Sequence, residues 1–306
     1  MDLSQFVDRA ETPIVEVCGG YRYADFQAQS MELMRKYPHL CRQSIGRSVL
    51  GRSIDCFMIG NGPERLHMNG AVHANEWITT PLLLRFMEDL LEHACSQRSE
   101  AIAHLLQQAA LWIVPMVNPD GVDLAQDGVA MAGDSWRSCL LAWNDGHDDF
   151  TAWKANIRGV DLNDQFPAYW ETERERRQVC GPASQDYSGP CPLSEPEAQA
   201  LAKLTETVDF TRVLSLHTQG REIYWNYRDQ EPPEAEALAD RLAAVSGYRA
   251  VKLSGSDAGY KDWFIMKFRR PGYTVEAGEG KNPLPPEQFD SIYRDLAPLL
   301  FEFIRG

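Results

Sequence analysis

Apolar residues recur at helical spacing (Phe26, Met31, Leu33, Met34) over residues 23–37, and Pro38 ends the pattern. Residues 44–53 and 54–60 read as two strands around a turn marked by Gly51. A strand over 66–72 then delivers His73 to its carboxyl end. Thr80-Pro81 opens a helix with proline at its first position, continuing through Leu83, Phe86, Leu90 and Leu91, and a further helix is predicted over 101–110. Residues 111–117 form an unbroken apolar run, the mark of a buried strand, closed by the turn signal Asn118-Pro119-Asp120-Gly121.

Periodicity dissolves over 125–156 and again over 165–192, with 159–163 between them as a short strand edge. Ser194-Glu195-Pro196-Glu197 reads as a capping box for a helix through Ala200, Leu201 and Leu204. A strand over 212–216 ends in His217, helices follow over 231–245 and 262–268, and a strand over 273–275 ends at Glu276. Residues 286–304 make an amphipathic helix through Phe289, Ile292, Leu296, Leu299 and Phe301.

Strands alternating with helices predict an α/β sheet with helices on both faces, and in such sheets ligands gather at the carboxyl ends of the strands. His73, Asn118, Asn163, His217 and Glu276 all stand at predicted strand ends. The two long irregular segments are expected to act as binding loops.

The chain has 306 residues, 44% of them hydrophobic and 24% charged, enough for one large core, and we expect a single domain over 1–306 with residues 1–20 as a short extension. A net charge of −14 argues against a nucleic-acid surface or an anionic membrane as partner, since both demand clustered Lys and Arg. No run reaches the roughly 18 apolar residues of a membrane span. The first residues show neither the basic nor the apolar region of a secretory signal, so a cytoplasmic location is expected. Seven scattered cysteines without CxxC spacing read as reduced thiols; Cys180 and Cys191 flank one loop, but pairing between them is not expected. Oligomeric state is not legible.

The candidate chemistry centres on His73-Ala74-Asn75-Glu76. With His217 the pair supplies three ligands for one zinc ion, leaving a fourth position open, as catalytic zinc requires. Glu276, at a strand end facing the same crevice, is the candidate general base; Glu279, flanked by glycines, ranks below it. Lys154 and Arg158, shortly before Asp161-Leu162-Asn163, are candidates to stabilise an oxyanion.

As an ordered set, His73 and Glu76, Asn118-Pro119-Asp120-Gly121, Asp161-Leu162-Asn163, His217 and Glu276 resemble the zinc metallocarboxypeptidase superfamily, and with Ile45-Gly46-Arg47-Ser48 and Gly51-Arg52 the resemblance covers nearly the whole chain. It implies a mixed, mostly parallel eight-stranded sheet flanked by helices, zinc on His73, Glu76 and His217, and Glu276 as base. Lys154 then falls where the family usually carries a carbonyl-polarising arginine. Asp164 replaces the arginine that usually follows the asparagine and grips the substrate's terminal carboxylate. An aspartate repels a carboxylate and attracts an ammonium. Ser254 stands near the place of the tyrosine found in digestive enzymes, with Tyr260 the nearest tyrosine after it.

The segments 153–163 and 276–285 look most like bacterial γ-D-glutamyl-L-diamino acid peptidases, which cut cell-wall peptides before meso-diaminopimelate. The resemblance thus implies a small muropeptide substrate, with Asn163, Asp164 and Tyr260 as substrate-binding residues. A conventional carboxypeptidase, an N-acyl amino acid deacylase and an inactive zinc- or peptide-binding protein are the alternatives.

Overall fold

A computed structural model describes residues 12–95 and 99–306. Its centre is one eight-stranded sheet in the order β1-β2-β4-β3-β5-β8-β6-β7. The strands are β1 (Cys41–Arg47), β2 (Ser53–Ile59), β3 (Glu64–Gly70), β4 (Ala109–Val114), β5 (Arg212–His217), β6 (Glu222–Tyr224), β7 (Arg249–Val251) and β8 (Gly272–Glu276). Pairings of β3 with β4 and β5, β5 with β8, and β6 with β7 are parallel; β1–β2, β2–β4 and β6–β8 are antiparallel. The sheet is therefore mixed and mostly parallel, as expected.

Helices cover both faces. Tyr23–Lys36, Thr79–Cys95, Glu234–Ser246 and Phe289–Arg305 bury their apolar stripes on one side, where Leu214 and Leu216 point. Pro196–Val208 and Tyr260–Phe268 pack on the other, against Val213, Ile54 and Val114. Alternate residues of β5 thus feed opposite layers, and the strand is buried along its whole length. No helix among the described residues is long and apolar enough to cross a membrane. Of the expected N-terminal extension, residues 1–11 lie outside the described residues; beyond them the backbone N–H groups of Ile14 and Val15 donate to the Glu88 carboxylate.

Four local expectations are corrected. Asn118-Pro119-Asp120-Gly121 is the start of a helix, Pro119–Asp127, with Asn118 as its cap and proline at the first position. The segment 159–163 is not a strand edge; Asp161 caps a short 3₁₀ turn, Leu162–Asp164. At 194–197 the cap residue is Glu195 without a side-chain bond, because Ser194 Oγ turns to Gln165 and Glu195 instead. Both irregular stretches contain a helix, Asp134–Trp143 and Trp170–Arg177.

Candidate active site

Three parallel neighbours, β3, β5 and β8, aim their carboxyl ends at one crevice. β5 ends on His217, and the register sets His217 opposite Glu276, the last residue of β8. The chain leaves β3 at Gly70, turns through Ala71 in the left-handed region (φ 47°), and reaches His73 as the cap of a single 3₁₀ turn, Ala74–Glu76. Residues three apart eclipse in a 3₁₀ turn, so His73 and Glu76 project side by side. Thr79 locks this turn: its hydroxyl accepts from Ala71 N–H (2.7 Å) and donates to the Glu76 carbonyl (2.8 Å).

The donor atoms converge. His73 Nδ1 lies 2.8 Å from Glu76 Oε1, His217 Nδ1 lies 2.9 Å from Glu76 Oε2, and the two Nδ1 atoms are 3.3 Å apart. One ligand atom from each residue lies within 4.8 Å of the others, and all three side chains are buried. Two imidazole nitrogens and a carboxylate held at this spacing match a catalytic zinc set. Burial pulls the His73 pKa down, but Glu76 and Asp161 outweigh it and raise it to about 10. Burial likewise opposes ionisation of Glu76, yet His73 and His217 hold its carboxyl well below the usual range. The Glu76 charge is thus present for a metal, and the proton on His73 is what a metal displaces.

Supports for the ligands come from distant segments. Asp161 Oδ1 stands 3.2 Å from His73 Nε2, fixing the tautomer that presents Nδ1 to the metal. Thr218 N–H donates to Glu76 Oε2 (3.2 Å) and Asn282 Nδ2 to Oε1 (3.4 Å), while Asn282 also donates to the Thr218 carbonyl (2.7 Å). The motif 118–121 has its explanation here. Asn118 Oδ1 accepts from Gly121 N–H, and its Nδ2 donates to the carbonyls of Val72 and Ala155, joining the zinc loop to the segment carrying Lys154. A Cβ on residue 121 would fall 2.6 Å from the Ala155 oxygen, hence glycine.

Lys154 is half-buried on that segment, its backbone carbonyl accepting from Ala74 N–H (2.9 Å). Beside it Trp153 is fully buried with its Nε1 donating to the Asn156 carbonyl (3.2 Å), an anchor worth about 2–3 kcal/mol in buried surface. Burial works against the Lys154 charge, but Glu76, Asp161, Glu276 and Asp186 raise its pKa, so it stays an ammonium facing the metal ligands. Glu276 is partly exposed to the crevice; burial, then the Glu76 charge, push its carboxyl up to about 8.

The other expected residues fall elsewhere. Arg158 is exposed and turns to Glu195 (3.5 Å), whereas the Lys154 charge acts on Glu76, Asp161 and Glu276. Glu279 lies on the surface, 75% exposed, near Arg221. Tyr260 is corrected outright: it is wholly buried, its hydroxyl bonded to Thr205 (2.8 Å) and its ring packed on Phe166 and His67. Asp164 is also buried and does not open toward substrate, because it is paired with Arg177, whose Nε lies 2.9 Å from Oδ2 and Nη2 3.1 Å from Oδ1. Asn163 is half-buried in the 3₁₀ turn next to Asp161. The seven cysteines are free, Cys180 and Cys191 included.

Solved structures share this architecture. Thrombin activatable fibrinolysis inhibitor matches with a TM-score of 0.76 at 17% identity, covering 98% of this chain and 78% of that one. The carboxypeptidase A of Helicoverpa armigera matches at 0.71 and 18% identity, covering 99% and 78%. In sequence, the γ-D-glutamyl-L-diamino acid endopeptidase 1 of Lysinibacillus sphaericus is 47% identical over 279 residues, 90% of this chain and 70% of that protein. The zinc carboxypeptidase family model matches residues 28–298, a span that contains His73, Glu76, His217 and Glu276. With this fold, and with the zinc triad assembled at the ends of β3 and β5, the chain belongs to the zinc carboxypeptidase family of metallopeptidases.

Proposed function

We propose that this peptidase hydrolyses the amide bond between a γ-D-glutamyl group and a diamino acid such as meso-diaminopimelate in cell-wall-derived peptides. The observation that carries the chemistry is the convergence of His73, Glu76 and His217 with Glu276 in register beside His217. The substrate class rests on the 47% identity to the Lysinibacillus sphaericus enzyme and on the lack of an arginine at position 164, where a conventional carboxypeptidase would carry one.

Zinc, when bound, polarises the scissile carbonyl and makes water acidic enough to attack near neutral pH. Glu276, as carboxylate, takes the proton of the attacking water and returns it to the leaving amine, a role suited to a carboxylate whose proton affinity is raised by burial and by the Glu76 charge. The Lys154 ammonium stabilises the charge that develops on the carbonyl oxygen. Asp161 holds His73 in its ligating tautomer throughout.

The test is incubation of the zinc-loaded protein with L-Ala-γ-D-Glu-meso-diaminopimelate, with free diaminopimelate quantified by amino-acid analysis. Release of diaminopimelate is expected. Faster cleavage of peptides ending in hydrophobic L-residues would overturn the assignment in favour of a conventional carboxypeptidase.

A further inference from the structure

Position 164 hides a rearrangement. Its carboxylate draws in a guanidinium from the helix Trp170–Arg177: Asp164 meets the Nε and Nη2 side of Arg177 at 2.9 and 3.1 Å. Glu173 lies 2.7 Å from the same Nε, and Asp186 lies 2.5 Å from Nη1. A guanidinium has five N–H donors; the hydrogen bonds here use one hydrogen on each terminal nitrogen, while the buried Nε sits between the Asp164 and Glu173 carboxylates without bonding geometry to either. One hydrogen on Nη1 and one on Nη2 remain, a fork of the shape that receives a carboxylate.

The fork is close to the zinc ligands. Asp161, which holds His73, accepts from Asp186 N–H (3.2 Å), and the carboxylate atoms of Asp161, Asp164 and Asp186 lie within 4.8 Å of one another. That acidic trio already has its cation, Arg177. Exposure divides the group: Asp164 is 2% exposed, whereas Arg177 and Asp186 are 26% and 28% exposed. A buried acid therefore fixes the guanidinium while an accessible pair of opposite charges, Arg177 and Asp186, faces outward. The surrounding negative charge is offset by Arg176 on Glu173, by His73 on Asp161 and by the neighbouring Lys154.

An accessible guanidinium and carboxylate side by side are complementary to a carboxylate and an ammonium on one carbon. We propose that Arg177 and Asp186 form a clamp for the free amino-acid end of the diamino residue, Arg177 receiving its distal carboxylate and Asp186 its distal ammonium. Arg177 thereby supplies, from the following helix of the same chain, the guanidinium that position 164 lacks. The proposal rests on the peptidase reading above and adds the determinants of which diamino acid is accepted.

The experiment compares kcat/KM for three tripeptides, L-Ala-γ-D-Glu followed by meso-diaminopimelate, by meso-diaminopimelate amidated at its distal carboxyl, or by L-Lys. With the unsubstituted enzyme the two peptides lacking the distal carboxylate are expected to be poorer by about ten- to a hundredfold, chiefly through KM. Arg177→Lys keeps the charge that Asp164 needs but loses the fork, and is expected to bring the three values within about threefold. A fourth peptide, acetylated on the distal amine of meso-diaminopimelate, is expected to be a poorer substrate for the unsubstituted enzyme, and Asp186→Asn to remove that discrimination while retaining the one against L-Lys. Ratios of this kind are independent of how much of a preparation is folded. Equal rates on all three peptides with the unsubstituted enzyme, which needs no variant, would overturn the clamp while leaving the peptidase reading intact. No cleavage of any of them would overturn both.

Discussion

Replacing Asp161 by Asn tests how the zinc ligands are held. The amide oxygen keeps contact with His73 Nε2, but the negative charge 3.2 Å from that nitrogen disappears, and the new NH2 faces Asp186 N–H, which the lost Oδ2 accepts. Loss of such a partner of a ligating histidine costs about 10- to 100-fold in metal affinity, roughly 1.4–2.8 kcal/mol. The deficit has a definite pH dependence. His73 without metal titrates at about 10, so at neutral pH zinc must displace one proton, and affinity in the unsubstituted protein should rise about tenfold per pH unit. Asp161→Asn weakens the hold of the proton as well as that of the metal. The variant's deficit should therefore be smallest near pH 6 and widen as pH rises toward 8.5, because the loosened proton stops competing in the variant while it still competes in the unsubstituted protein. Chelator-competition titrations with a zinc indicator across that range measure both curves. Parallel curves, or equal affinities at the alkaline end, would refute the argument that Asp161 acts through the basicity of His73.

Glu276→Gln should retain one equivalent of zinc by elemental analysis while turnover falls by about 10²- to 10⁴-fold. Lys154→Met should lose about 10²- to 10³-fold in kcat, whereas Arg158→Met, on the exposed side of the same segment, should leave steady-state kinetics unchanged. Burial pushes the Glu197 carboxyl up to about 7, so the folded form binds its proton more tightly than the unfolded chain; its contribution is full below the ordinary carboxylate range and shrinks as pH rises through 7, by roughly 3 kcal/mol in all. Urea denaturation at several pH values should show that decline in the unsubstituted protein and a flatter curve for Glu197→Gln. Tyr260→Phe, which removes only the bond to Thr205, should cost about 1 kcal/mol in denaturant unfolding and leave KM unaltered; a raised KM would return Tyr260 to the substrate site.

The strands that carry His217 and Glu276 were legible because each is a short, mainly apolar and β-branched stretch that ends on a histidine or a carboxylate, a signal strong enough to survive without tertiary information. β6 and β7 were not, since three residues are too few to display alternation. The helix Trp170–Arg177 escaped for a different reason: of its eight residues only Trp170 and Glu173 are buried, so it has no apolar stripe to detect, and ion pairs hold it where packing does not. Asn118-Pro119 signals a helix cap as readily as a turn, and only the following Val122 and Leu124, both buried, decide between them. At the site, residue chemistry pointed to the ligands, but side-chain destinations depend on contacts across the chain. Asp161 meets a histidine from another segment, Asp164 meets an arginine from the next helix, and Tyr260 turns its ring inward because the second layer of the core needs it.

Two asparagines stitch this site together, Asn118 between the zinc loop and the Lys154 segment and Asn282 between Glu76 and Thr218. Each is followed by proline. Asparagine ages in proteins by attack of the next residue's backbone N–H nitrogen on its own side-chain amide, and proline has no such N–H to lose. The conversion to aspartate would be severe at either place, setting a new negative charge against two carbonyl oxygens at 118 or against the metal-binding carboxylate of Glu76 at 282. The residues that hold the catalytic loops in position are thus the ones whose neighbours protect them from the chemical wear that would unstitch them.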